Sequence, residues 1–258
     1  MVVKVIFTDL DGTLLNEDYR CDDAIEIIEK LKSLKVPIIF VSGKTRYEQE
    51  VFREELGIDD PFVVEDGSAI YIPHDYFGEL QNLERVEDYY VLVLGTRVSE
   101  IYKMIDKLRL RYNILSYNYM SVEEIAKLTG LSVEMAKLCK KREFSETIVE
   151  ADDEALEILR KYFNVKIGGR FIHIYGKNAS KGRAVKILTE LYRKMYKNVI
   201  TIGIGNSYTD IDMLKVVDIP ALVRNNDGWI SVDFPVYKAR GIATQGWVEV
   251  IKRLFILD

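Results

Sequence analysis

Short apolar runs recur along the chain at intervals that suit a layered α/β fold. VVKVIF at 2–7, VPIIFV at 36–41, PFVV at 61–64, NVITIGI at 198–204 and IPALV at 219–223 are nearly unbroken in apolar residues. A strand covered on both faces reads this way, so the five runs predict buried parallel strands. Between the first two, CDDAIEIIEKLKSL at 21–34 places Ala24, Ile27, Ile28, Leu31 and Leu34 at helical spacing and completes a βαβ unit. TRYEQEVFREELG at 45–57 predicts a second helix, stopped by Gly57. SKGRAVKILTELYRKMY at 180–196 predicts another, with Ser180 as N-cap and Ala184, Ile187, Leu188 and Leu191 as its buried stripe.

The middle of the chain has a different pattern. Candidate strands at 89–94, 114–117, 144–149, 164–167 and 171–175 are mixed with candidate helices near 98–110, 121–138 and 152–162. The expected fold class is therefore α/β: a Rossmann-like open parallel sheet with right-handed crossovers, carrying an inserted α+β cap domain. The core is expected from 1–83 and 177–258, and the insertion from 84–176.

Composition narrows the function. The net charge of −5, from 36 basic and 41 acidic residues spread along the chain, leaves no continuous positive footprint for nucleic acid. KLCKKRE at 137–143 reads as a solvated helix face. No apolar run is long enough to span a bilayer, and the start, MVVKVIFTDLDG, lacks the pattern of a signal peptide, so a cytoplasmic protein with no membrane partner is expected. Cys21 and Cys139 stand far apart without CxxC spacing, which indicates neither a disulfide framework nor a zinc site.

The predicted strands end on polar residues: Asp9, Ser42, Glu65 and Asp66, Asn206, and the group Asn225, Asn226 and Asp227. In open parallel sheets ligands bind at the carboxyl ends of strands, so these residues are expected to share one site. Asp9, Asp11 and Asp210 brought together would repel one another unless a cation lay among them. An all-oxygen donor set suits Mg²⁺.

These residues resemble the four motifs of the haloacid dehalogenase-like phosphotransferases. The first motif stands as Asp9, Asp11, Gly12 and Thr13, the second as Ser42 in VSGKT, the third as Lys181, and the fourth as GNSYTDIDML at 205–214. The resemblance implies Asp9 as nucleophile, Asp11 as general acid/base, and Ser42 and Lys181 as holders of the phosphoryl oxygens. It implies Mg²⁺ held by Asp9, the Asp11 carbonyl, Asn206 and Asp210. The chain departs from the family where Asn206 replaces a common Asp, which removes one negative charge, and where Tyr208 and Thr209 replace commoner residues. Asp212 is expected to serve as a helix N-terminal acid rather than a ligand.

An insertion between the second and third motifs is what the C2-capped branch carries. Within it the chain most resembles mannosyl-3-phosphoglycerate phosphatases, through SGKTRYEQE at 42–50, EDGSAIYIP at 65–73, KKREFSE at 140–146 and GGRFIHIYGKNASKG at 168–182. That resemblance implies a small phosphate-ester substrate bearing a carboxylate. Gly43, Lys44, Thr45 and Ser180 are the expected substrate-binding residues on the core. Arg142 and Arg170 are expected to grip the carboxylate, with Glu143, Ser145 and Asn178 on sugar hydroxyls. His173 is expected to be a satisfied packing residue and His74 a loop residue. A phosphomannomutase-like enzyme, a broad sugar or nucleotide phosphatase and a non-catalytic phosphosugar-binding protein are the competing readings.

Overall fold

The computed structural model describes residues 2–168 and 170–255. Met1, Gly169 and 256–258, included in the ranges expected for core and insertion, lie outside the described residues. The chain begins with β1 (Val2–Thr8), α1 (Ile25–Ser33), β2 (Ile38–Phe40) and α2 (Arg46–Leu56). β3 (Phe62–Val64), β4 (Ala69–Pro73), β5 (Glu84–Val86) and β6 (Tyr89–Val93) follow. Next come α3 (Val98–Arg109), β7 (Ile114–Ser116), α4 (Val122–Thr129), α5 (Val133–Cys139) and β8 (Ser145–Ala151). α6 (Asp153–Tyr162), β9 (Phe163–Gly168) and β10 (Phe171–Gly176) lead back to α7 (Lys181–Met195). β11 (Asn198–Gly205), α8 (Ile211–Leu214), β12 (Ile219–Arg224), β13 (Tyr237–Ile242) and α9 (Ala243–Phe255) complete the order.

The central sheet is parallel throughout, in the order β13-β12-β11-β1-β2. From β1 the chain builds to one side through β2 and later returns to the other through β11, so the β1/β11 gap is the point where strand order reverses. A crevice opens at the carboxyl ends of such a pair. β1 explains its own apolar run: Ile6 packs into one layer with Leu10, Ile28 and Trp247, while Val5 and Phe7 pack into the opposite layer with Val185 and Leu188. Trp247 of α9 is fully buried, and its Nε1 donates to Thr8 Oγ1 at 3.0 Å, fixing the last turn of β1 just before Asp9.

Two antiparallel sheets join this core, in the orders β3-β4-β6-β5 and β7-β8-β10-β9. The second has its own apolar layer, formed by Ile101 and Ile105 of α3, Leu156 and Leu159 of α6, and Ile148 and Ile174 of its strands. Four of the five apolar runs occupy the parallel sheet as expected. The run at 61–64 is not a ladder strand of that sheet: β3 pairs antiparallel with β4, and it meets the edge of the parallel sheet at an isolated parallel bridge between Val41 and Val63. The fifth place belongs to β13. The strand expected at 89–94 within the insertion pairs with β4, so the inserted sheet proper starts at Ile114. The helix expected over 121–138 is two, α4 and α5, divided at Gly130, whose φ of +82° is a left-handed stop.

Candidate active site

Asp9 leaves β1 at the reversal point, where its backbone N–H still bonds the Ile204 carbonyl of β11 at 2.9 Å. Its side chain is buried and meets a buried cation. Lys181, the first residue of α7, donates from Nζ to Asp9 Oδ1 at 2.8 Å and to Asp210 Oδ1 at 2.6 Å. Ser180 accepts from the Arg183 N–H as the N-cap of that helix, which aims Lys181 at the strand ends. Asp210 is fully buried, and its second oxygen accepts from Asn206 N, Ser207 N and Ser207 Oγ, each at 3.0 Å. Asp210 therefore folds the 206–210 loop while sharing a lysine with Asp9.

The electrostatics follow from burial. Desolvation, and next the Asp210 carboxylate, push Asp9 up from 3.8 to about 7, against the opposing pull of Lys181. Burial disfavours the Lys181 ammonium, yet Asp210, Asp9 and Asp66 raise it well above the ordinary lysine value. Folded Asp9 keeps its proton up to about pH 7 while the unfolded chain releases it near 3.8, so in between the unfolded state binds fewer protons. Its contribution to stability thus falls as pH rises through that window. Without divalent cation, Asp9→Asn is expected to flatten the fall in melting temperature between about pH 4 and pH 7 relative to the parent chain. Superimposable profiles would contradict the assignment.

Asp11 lies two residues on, half-exposed, with Oδ1 2.9 Å from Lys44 Nζ. Lys44 is buried between Asp11 and Glu48, and although desolvation opposes its charge, those two carboxylates raise its pKa. Gly12, at φ +71°, makes the turn directly after Asp11, and a Cβ there would come within 2.4 Å of Asn206 Nδ2. Thr13 Oγ1 lies 3.4 Å from Asp9 Oδ2 and 3.2 Å from Asn206 Oδ1. Two hard oxygens, one carboxylate and one amide, therefore face the same small hydroxyl. Asn206 is fixed in that orientation by Asn225, which accepts from its Nδ2 at 2.9 Å and donates to its carbonyl at 2.8 Å. Among the described residues no three carboxylate, imidazole or thiol side chains converge as a metal cage. The charge compensation expected among Asp9, Asp11 and Asp210 is divided here between Lys181 and Lys44.

A cavity of about 960 Å³ opens above these groups, floored by Asp9, Asp11, Ser42, Lys181 and Asn206 and roofed by Thr147, Gly168, Phe171 and His173 of the inserted sheet. Gly43, Lys44, Arg142 and Arg170 also line it, as expected. Arg142 is already engaged, donating from both Nη atoms to the Gly43 carbonyl at 3.1 Å and from Nε to Thr147 Oγ1 at 3.2 Å. Arg170 donates to the Thr129 carbonyl at 3.1 Å. Five expected substrate-binding residues lie off the cavity wall, among them Ser145, which is buried and donates to Glu65. Thr45 caps α2 and bonds the Leu138 carbonyl at 3.1 Å, Glu143 accepts from the Tyr71 hydroxyl at 2.9 Å, Ser180 caps α7, and Asn178 is exposed on the turn before it.

Two carboxylates after β3 do more than end a strand. Glu65 and Asp66 hold φ of +51° and +60°, a conformation rare outside glycine that side-chain bonds must sustain. Glu65 is fully buried and accepts from Glu143 N and Phe144 N at 3.0 Å and from Ser145 Oγ at 2.6 Å. Burial raises its pKa against Arg142 and those donors. Asp66 Oδ2 lies 2.7 Å from His173 Nδ1, and despite burial the His173, Lys181 and Arg142 side chains hold its carboxyl well below the ordinary range. His173, expected as a packing residue, is instead a cavity group tied to the core. Its signal was available only as a lone polar residue in an alternating strand, FIHIY.

A Rossmann-like core with aspartates at its reversal point, roofed by an inserted α+β layer, defines a capped α/β enzyme. Residues 6–228 match the family model of haloacid dehalogenase-like hydrolases, and the chain belongs to that family. A glucosyl-3-phosphoglycerate/mannosyl-3-phosphoglycerate phosphatase from Persephonella marina is 40% identical over 97% of this chain and 96% of its own length. A mannosyl-3-phosphoglycerate phosphatase from Pyrococcus furiosus is 43% identical over 86% of this chain and 91% of its own length. A solved haloacid dehalogenase-like hydrolase from Bacteroides thetaiotaomicron, 18% identical, shares the fold with a TM-score of 0.68 over 98% of this chain and all of its own. Among the described residues no helix is long and apolar enough to cross a membrane.

Proposed function

We propose that this chain is a magnesium-dependent phosphatase acting on a hexosyl-3-phosphoglycerate, with mannosyl-3-phosphoglycerate as the first candidate, releasing mannosylglycerate and phosphate. The observation that carries the reading is the buried Asp9–Lys181–Asp210 chain beneath a capped cavity. The full-length similarity to relatives named for that substrate class supports it.

In this reading Asp9 attacks phosphorus, and the bond to the leaving oxygen breaks as the aspartyl phosphate forms. Asp11, oriented by Lys44, gives its proton to the departing alkoxide and then takes one from the water that cleaves the acyl phosphate. Ser42 and Lys181 hold the phosphoryl oxygens. The Asp9 and Asn206 oxygens around Thr13, with the Asp11 carbonyl, would hold Mg²⁺, and Asp210 would act chiefly by shaping the loop. When bound, the cation offsets the repulsion between carboxylate and phosphoryl oxygens. The sheet β7-β8-β10-β9 with its helices would be the cap that selects the ester.

The test is phosphate release from a panel holding mannosyl- and glucosyl-3-phosphoglycerate, 3-phosphoglycerate and mannose phosphates, with and without Mg²⁺. Magnesium-dependent release with the highest kcat/KM on a glycosylated phosphoglycerate is expected. Preference for an ester lacking the glycerate carboxylate would overturn the substrate, and retention of the phosphoryl group on the sugar would indicate a mutase.

A further inference from the structure

The cavity has a second compartment that the phosphoryl-transfer residues do not use. A smaller hollow of about 360 Å³, lined by Lys166, Ile167, Tyr208, Thr209, Ile211 and Asp212, lies between the end of β9 and the loop after β11. Ile167, Tyr208 and Thr209 also line the main cavity, so the two spaces adjoin. Tyr208 stands two residues beyond Asn206, at most about 7 Å of chain from a residue that faces Asp9 through Thr13. Its side chain is 60% exposed, and Ile167, across from it on the inserted sheet, is 71% exposed. Large apolar surfaces left open beside a reaction centre mark a ligand wall more readily than a solvent face.

Charge divides the cavity in two. On the side of Ser42 and Gly43 stand Lys44, Arg142, Lys181 and His173 interleaved with Asp9, Asp11, Glu48 and Asp66, a charge-dense setting that suits the ionic end of a ligand. On the Tyr208 side a lysine and an aspartate balance, and the rest of the lining is apolar or a hydroxyl. A neutral group that has one C–H face and a rim of hydroxyls matches that side: the C–H face suits the Tyr208 ring and Ile167, and the hydroxyls suit Asp212 and Lys166.

We propose that Tyr208 and Ile167 form the hexose subsite, with Tyr208 setting the preference for a glycosylated over a bare phosphoglycerate. This rests on the function proposed above and adds the sugar's location. Tyr208 belongs to the core loop that shapes the catalytic centre, so sugar recognition is shared between core and cap.

The test compares kcat/KM for mannosyl-3-phosphoglycerate with that for 3-phosphoglycerate, the same ester without its sugar, in the magnesium-loaded enzyme. Tyr208→Ala is expected to lower that ratio about tenfold, through KM more than kcat, and Ile167→Ser to lower it several-fold. Tyr208→Phe, which keeps the ring, is expected to retain the parent ratio. Both side chains are largely exposed, so the folded state should survive each change. A ratio unchanged in Tyr208→Ala and Ile167→Ser overturns the subsite while leaving the function standing, and a loss in Tyr208→Phe equal to that in Tyr208→Ala overturns the role of the ring. A parent enzyme with no preference for the glycosylated ester overturns both.

Discussion

Asp9→Asn is expected to lower phosphate release by a factor on the order of 10⁴ or more while leaving the fold intact. Asparagine has nearly the same shape and keeps an oxygen to accept from Lys181 Nζ, now 2.8 Å from Asp9 Oδ1. It also removes the charge that Asp210 and burial disfavour, so no structural penalty should accompany the loss of the nucleophile. Single-turnover phosphate release, with melting temperature as the control, checks both halves. Release equal to that of the parent chain would remove Asp9 from the chemistry.

Lys181→Met is expected to destabilise the chain by about 3–5 kcal/mol, because it leaves two buried carboxylates without their shared cation. At roughly 2–4 °C per kcal/mol for a chain of this size, the melting temperature should fall by roughly 6–20 °C. Magnesium should recover part of the loss, since a cation near Asp9 restores some of the missing charge, but activity should stay low because a phosphoryl contact is gone. A melting temperature equal to the parent's would show that the Asp9–Asp210 pair does not depend on this lysine.

Much of the fold was legible because a buried parallel strand has to be apolar on both faces. β1, β2, β11 and β12 announce themselves this way. The same signal misplaced β3, since a run such as FVV records burial and not the direction of its neighbour. β13, YKARGI, passed unseen because it is an edge strand with only Ala239 buried. Gly130 broke a helix whose apolar spacing continued past it.

The aspartates of the site were legible because strand ends of a parallel sheet must converge. Pairings across the chain were not. Arg142 reads as an anion grip, yet its partner is a carbonyl 99 residues away. His173 finds Asp66 across 107 residues, and neither shows a spacing that could announce the other. The sharing of Lys181 between Asp9 and Asp210 likewise depends on how α7 enters the sheet.

Glu65 bears on how such enzymes can be recombined. Its carboxylate is matched to three donors at 143–145, and the next residue, Asp66, is matched to His173, so the seam between core and cap runs through a turn that belongs to the core. A chimaera that exchanges the inserted residues alone would set a buried carboxylate against foreign donors. The unit that can be transplanted is the insertion together with Glu65, Asp66 and Gly67, and a new specificity grafted without that turn would arrive on a cap that no longer seats.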